Sequence, residues 1–190
     1  MKNIFLSALI VVTSMTAAAC FTASAEHAST DRIARGEYLV SVMGCHDCHT
    51  PLKMGAKGPE PDMARALSGH PEQMGPLPQM ALPAPWLWAG APTNTAFSGP
   101  WGVSYAVNLT PDQNTGLGIW TEDMFVRALR TGRHMGTSRE ILPPMPWPAF
   151  RNMNDEDLKS IYAYLRSIPA IKNQVPTYLD PNEVASLIEH

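Results

Sequence analysis

A chain of 190 residues, 45% hydrophobic and 16% charged, has the balance of an ordinary globular protein with one core. A formal charge of −3 leaves no basic footprint for a nucleic-acid partner. The 18 prolines and 13 glycines crowd into the middle of the chain, which predicts a domain with long irregular loops.

Residues 1–25 read as an export signal. Lys2 supplies the positive start, Ile4 to Val12 is mostly apolar, and Ala23-Ser24-Ala25 fits the small-x-small pattern for cleavage, so the mature chain begins near Glu26. An uncleaved anchor is the alternative, although Thr13, Ser14 and Thr16 dilute the apolar run. Lipid attachment at Cys20 is another, although Ala17 stands where lipoprotein signals usually carry Leu. Either would hold the protein at a membrane. Cleavage removes Lys2 alone and leaves a net charge of about −4, which favours partners with a positive docking face.

After the signal, Thr30 or Asp31 is placed to cap a helix running through Ile33, Tyr38, Leu39, Val42 and Met43 toward Cys45. Gly36 lies inside it, where glycine costs about 1 kcal/mol relative to alanine, so close approach of another helix is the expected reason. From Pro51 to Pro111 the chain holds 11 prolines and 7 glycines, which excludes long helices and leaves loops with short strands near Ala84 to Trp88 and Gly102 to Val107. Helical pattern returns at Thr121, a cap followed by Glu122 and Asp123, with Phe125 and Leu129 on one face and Gly132 as the stop. The clearest helix follows. Asn154 caps it, three acids fill its first turn, and Leu158, Ile161, Tyr162 and Leu165 repeat at helical spacing before Pro169. The stretch from Ile171 to His190, weakly helical near Glu183 to Ile188, reads as peripheral.

Cys45-His46-Asp47-Cys48-His49 is C-x-x-C-H, the attachment pattern of a c-type haem. Residues three and four apart share one helix face, so Cys45 and Cys48 can bond the two vinyl groups while His49 ligates the iron. A thioredoxin-like redox pair wants a strand–helix–strand setting, which is lacking here. A zinc site wants two further ligands, and the only other cysteine is Cys20. A plain disulfide in an exported protein is the third alternative.

For a second axial ligand the chain offers 11 Met and five other His. Met145 stands in Leu142-Pro143-Pro144-Met145-Pro146-Trp147-Pro148, where prolines fix the backbone on both sides. Met135 and Met153 compete with it, and His134 and His70 read as solvated loop histidines.

These residues resemble the class I cytochromes c, especially the haem domains that serve bacterial periplasmic dehydrogenases. The resemblance runs from about Arg35 to Pro176. It is carried by Arg35-Gly36-Glu37-Tyr38-Leu39, Cys45 to Thr50, Asn108-Leu109-Thr110-Pro111-Asp112, and Met145 to Leu165. It implies an all-α cytochrome c fold, three main helices around one haem with a long Pro/Gly-rich loop insertion, over residues 26–176, with 177–190 as a tail. It implies one covalent haem c bound by Cys45, Cys48, His49 and Met145, with His49 and Met145 on the iron. It implies further that the first and last long helices cross at Gly36, that Tyr38 packs on Tyr162 or Leu165, and that Asn108, Thr110 and Trp120 lie near the haem. The 95 residues between His49 and Met145 exceed the span in the smallest relatives.

With both axial positions filled, the expected role is single-electron transfer in the periplasm between redox proteins, a dehydrogenase donor and a respiratory acceptor, without enzyme activity of its own. Dihaem peroxidases need two such motifs and this chain has one. Gas-binding four-helix cytochromes carry the motif near the C-terminus, and here it lies near the start of the mature chain.

Overall fold

The structure is a computed structural model that describes residues 29–181. The expected signal, Cys20 and the weak helical stretch near Glu183 lie outside the described residues. Residues 29–42 form helix α1, so Thr30 and Asp31 sit within it. Helices α2 (Cys45–His49), α3 (Glu122–Thr131), α4 (Trp147–Phe150) and α5 (Asp155–Ser167) follow. The two predicted caps form: Thr121 Oγ1 accepts from the Met124 amide at 3.2 Å, and Asn154 Oδ1 from the Asp157 amide at 2.7 Å. Gly132 ends α3 in the left-handed conformation (φ 68°), with the Trp147 indole packed where a side chain would stand.

α1 crosses α5 at Gly36. A Cβ there would lie 2.0 Å from the Ser160 carbonyl oxygen and 2.7 Å from Tyr164 Cβ, so only glycine lets the backbones meet. The crossing is clamped at its edge by Arg35, whose guanidinium binds both carboxylate oxygens of Asp157 at 2.8 and 3.2 Å. Leu39 and Val40 of α1, Phe125 and Leu129 of α3, and Leu158, Ile161 and Leu165 of α5 share one core. Tyr38 does not pack on Tyr162 or Leu165. It is 56% exposed beneath the Arg35 guanidinium, because the buried face of α1 runs Gly36, Leu39, Val40 and Tyr38 lies off it.

The expectation of an all-α fold is overturned. The Pro/Gly-rich segment folds into two small antiparallel sheets, which makes the protein mixed α and β. Strands β1 (Leu52–Gly55) and β2 (Gly58–Pro61) form a hairpin. Strands β3 (Ala89–Gly90), β4 (Ala96–Gly99) and β5 (Gly102–Tyr105) form a sheet in the order β3-β4-β5. Proline forbids helix but not an edge strand, and in a two-stranded hairpin every strand is an edge, so Pro59 and Pro61 are accommodated in β2. Of the two strands expected from the sequence, the one near Gly102 forms as β5. The one at Ala84 to Trp88 does not, and pairing begins just beyond it at Ala89. β4 and β5 are buried throughout, and Ala96, Val103 and Tyr105 make a second small core with Leu77, Val175 and Leu179 around it.

The segment after α5 is not peripheral over its described part. Asn173 is fully buried, and its side chain donates to the Ser68 and His70 carbonyls at 2.7 and 2.8 Å while accepting from Arg65 and the Glu72 amide. Leu179 then pairs with Val103 of β5 through two backbone hydrogen bonds of 2.9 and 3.0 Å. A run with little helical or strand periodicity is thus fastened by side-chain amide bonds. Among the described residues, no helix is long and apolar enough to cross a membrane.

Gly36→Ala is expected to cost the holoprotein about 1–3 kcal/mol in chemical denaturation, since the added methyl must push α1 off α5. A change below the error of the measurement contradicts the close crossing.

Candidate functional site

Gly44 separates α1 from α2. Its left-handed conformation (φ 69°, ψ 28°) turns the chain, and a Cβ there would meet Asp47 Oδ2 at 2.7 Å. Behind α2, the buried Thr50 hydroxyl bonds both the Leu67 amide and His46 Nδ1 at 2.9 Å, which fixes the end of this short helix. The side chains of Cys45, Cys48 and His49 then line one cavity of about 420 Å³. Its other walls are mainly apolar, with Phe97 and Leu109 from the insertion, Trp120 and Phe125 from around α3, and Ile161 and Leu165 from α5.

His49 is 7% exposed, and its Nδ1 lies 2.8 Å from the Val107 carbonyl oxygen. A carbonyl only accepts, so Nδ1 carries the proton and Nε2 keeps its lone pair. Burial pulls the His49 pKa below its ordinary value, against the Val107 bond, and the ring is neutral at pH 7. Burial pushes the Cys45 thiol up to about 11 and raises Cys48 as well. Both cysteines are free. A catalytic redox pair needs a thiol whose pKa is lowered, the reverse of what burial does here. Among the described residues, no three His, Cys, Asp or Glu side chains converge as a metal cage, so the geometry of a protein-only zinc site is not present.

Met145 lines the same cavity, half-buried. Its loop is held to the sheet by Ser104 of β5, whose Oγ donates to the Pro143 carbonyl at 2.6 Å and accepts from Trp101 Nε1 at 3.2 Å. Cys45, Cys48, His49 and Met145 are therefore brought to one cavity. Of the competing side chains, Met153 and His134 also line it and Met135 does not. His134 stacks edge-on against Trp120, with ring centroids 4.9 Å apart. His70 is neither solvated nor at the cavity. It is fully buried, with Nδ1 at 2.9 Å from Thr95 Oγ1 and Nε2 at 3.2 Å from the Gly75 carbonyl. Trp120 lies on the cavity wall as the resemblance implies, but Asn108 and Thr110 do not line it. Asn108 Nδ2 and Thr110 Oγ1 instead donate to the Ile171 carbonyl, at 2.7 and 3.2 Å, and tie down the segment after α5.

The residues present fit a c-type haem. The thiols stand one turn apart at an apolar cavity, one imidazole is held as a neutral donor, and a thioether lies on the same walls. Sequence reasoning missed the Val107 carbonyl, for which no side-chain pattern exists. It also missed Ser104, whose partner lies 39 residues away.

Comparison with known proteins points the same way. No protein-family model matches the chain. Over 158 residues, 81% of the chain, it is 30% identical to the cytochrome c subunit of the quinone alcohol dehydrogenase of Gluconobacter oxydans, covering 26% of that protein. Over 150 residues, 76% of the chain, it is 30% identical to the fructose dehydrogenase cytochrome subunit of Gluconobacter japonicus, covering 24% of it. The chain is a homologue of bacterial dehydrogenase cytochrome c subunits. A shorter match, 40% identical over 81 residues, joins 43% of this cytochrome homologue to 7% of a nicotinate dehydrogenase subunit of Pseudomonas putida. The homologue thus spans about a quarter of the length of the two cytochrome subunits.

Burial lowers the His70 pKa below its ordinary value of 6.5, while the Gly75 bond acts against the shift. The unfolded chain therefore takes up the proton first as pH falls, and stability is lost on acidification below about 6.5. Denaturation of the holoprotein should show this loss, with a shallower slope for His70→Gln. An identical slope in the variant contradicts the assignment.

Proposed function

We propose that this chain is an exported, periplasmic single-electron carrier. In this reading it would hold one haem c through thioethers at Cys45 and Cys48, with His49 and Met145 binding the iron, and it has no enzyme activity of its own. The observation that carries the proposal is the shared cavity, where a C-x-x-C-H helix, a tautomer-locked His49 and Met145 meet among apolar walls. A bound haem supplies reversible one-electron exchange at its iron.

The chain's own residues set the terms of that exchange. Val107, by accepting from Nδ1, fixes the His49 ring and raises the basicity of Nε2. Met145 would hold the iron through a thioether, a donor that favours the reduced state more than a second histidine would. The walls around Phe97, Trp120 and Phe125 exclude water and disfavour the added charge of the oxidised state. With His49 and Met145 both holding the iron, it would have little room for substrate chemistry. Cys45 and Cys48 retain the group covalently in a compartment where a lost one is not readily replaced.

The names of the relatives support a dehydrogenase as electron donor; the acceptor in this reading is a respiratory component. The quarter-length match supports a place as one electron-transfer unit serving such a complex. Export rests on residues 1–25, cleaved to give a periplasmic protein; membrane association would follow only from an uncleaved signal or a lipid on Cys20.

The test is optical. Expressed with a haem-attachment system, the oxidised protein is expected to be low-spin with the weak red-end band of thioether-ligated ferric haem. Met145→Ala should lose that band and gain carbon monoxide binding when reduced, while keeping its covalent haem. A wild-type protein that is high-spin and binds carbon monoxide or peroxide would overturn the carrier reading in favour of a sensor or enzyme.

A further inference from the structure

Arg139 is the only lysine or arginine among the described residues that line the cavity, and it lies exposed at the rim. Most other arginines of the described chain are spoken for by carboxylates: Arg32 by Glu122, Arg35 by Asp157, Arg127 by Asp123, Arg130 by Asp155 and Arg133 by Glu140. Among the described residues Arg139 has no such partner. Glu140, its neighbour in the chain, is taken by Arg133 at 3.3 Å. What Arg139 does have is a long 3.4 Å bond to the Glu140 carbonyl and the face of Tyr178, with its guanidinium 6.0 Å from the ring centre. Tyr178 lines the same cavity.

Both residues are held by their backbones. The Arg139 carbonyl accepts from the His134 amide at 2.9 Å within the bridge that joins Arg133 to Glu140. Tyr178 precedes Leu179, which is pinned to Val103 by two hydrogen bonds. At Gly102 a Cβ would lie 1.9 Å from the Leu179 carbonyl oxygen, so the strap carrying Tyr178 runs hard against the sheet. A guanidinium with no carboxylate partner among the described residues, stacked on an aromatic face at the rim of an otherwise apolar cavity, is the arrangement that receives a carboxylate.

A haem carries two carboxylates, on the edge of the ring away from its vinyl groups. Cys45 and Cys48 of α2 would hold the vinyl edge, whereas Arg139 and Tyr178 come from separate parts of the chain. We propose that Arg139, backed by Tyr178, is a carboxylate clamp at the cavity rim that binds a propionate of the haem and makes the segment after α5 part of the cofactor site. This rests on the haem-carrier reading above. Arg139 is then a positioning and tuning residue. Its positive charge keeps the carboxylate ionised and favours the reduced iron. The other titratable groups at this end are His134, whose pKa is lowered by burial and then by Arg139, and Glu140, held by Arg133.

The experiment is a reduction-potential titration across pH on the holoprotein, comparing wild type, Arg139→Gln and Arg139→Lys, with His134→Gln as the background that removes the neighbouring histidine. Arg139→Gln is expected to lower the potential. It should also move to higher pH the inflection at which the potential falls as the carboxylate deprotonates, while Arg139→Lys restores most of both. If Arg139→Gln carries covalent haem with an unchanged potential and an unchanged pH profile, the clamp is overturned and the carrier reading stands. A wild-type chain that attaches no haem overturns both.

Discussion

One hydrogen bond organises the site: His49 Nδ1 to the Val107 carbonyl, 2.8 Å. It ties the five-residue helix α2 to the chain leaving β5, two parts of the protein 58 residues apart, and it decides which ring nitrogen holds the proton. An isolated helix of five residues has no stability of its own in water. Its position therefore comes from its anchors: Gly44 in front, Thr50 behind, and Val107 at the histidine. Removing the Val107 contact would leave a buried imidazole without a fixed tautomer, and a metal ligand is only as well placed as the group behind it.

The rest of the molecule holds these anchors still. The crossing of α1 and α5 at Gly36 closes one side of the core, and α3 covers it through Phe125 and Leu129. The insertion closes the other side. β4 and β5 bring Phe97 and Ser104 to the cavity, and Ser104 reaches across to the Met145 loop through the Pro143 carbonyl. Asn173 and Leu179 then strap the chain after α5 over the insertion. The two small cores are thus joined by polar bonds of long sequence separation and not by one continuous apolar layer. Specific hydrogen bonding of this kind positions parts relative to one another more sharply than apolar contact does, because each buried group left unmet would cost about 1–3 kcal/mol.

What could be read from the sequence was local. The caps at Thr121 and Asn154, the stop at Gly132, and the helix periodicity of Leu158 to Leu165 depend on residues within a few positions of each other. So does the C-x-x-C-H spacing of Cys45, Cys48 and His49. Gly36 was legible for a different reason, since a glycine that weakens a helix implies a neighbour close enough to need it. The sheets were mostly not legible. Proline density correctly excludes long helices between Pro51 and Pro111, where only two three-residue 3-10 turns form among the described residues, but it does not reveal that β4 and β5 pair, so the all-α expectation failed there. Tyr38 was misplaced because one residue's offset on a helix moves a side chain by about 100°. His70 and Asn173 look like loop residues in sequence. Their burial follows from partners up to 108 positions away, which no local pattern encodes.

The central claim is that this cavity carries one haem bonded to α2, in a chain that has crossed a membrane and lost its first 25 residues. The most direct measurement is the intact mass of the protein purified from the periplasmic fraction of cells that make c-type cytochromes. The account predicts a chain starting near Glu26 with the added mass of one haem, and no such addition in a Cys45→Ala/Cys48→Ala variant. A mature chain at its unmodified mass, or two hydrogens lighter from a Cys45–Cys48 disulfide, would contradict it.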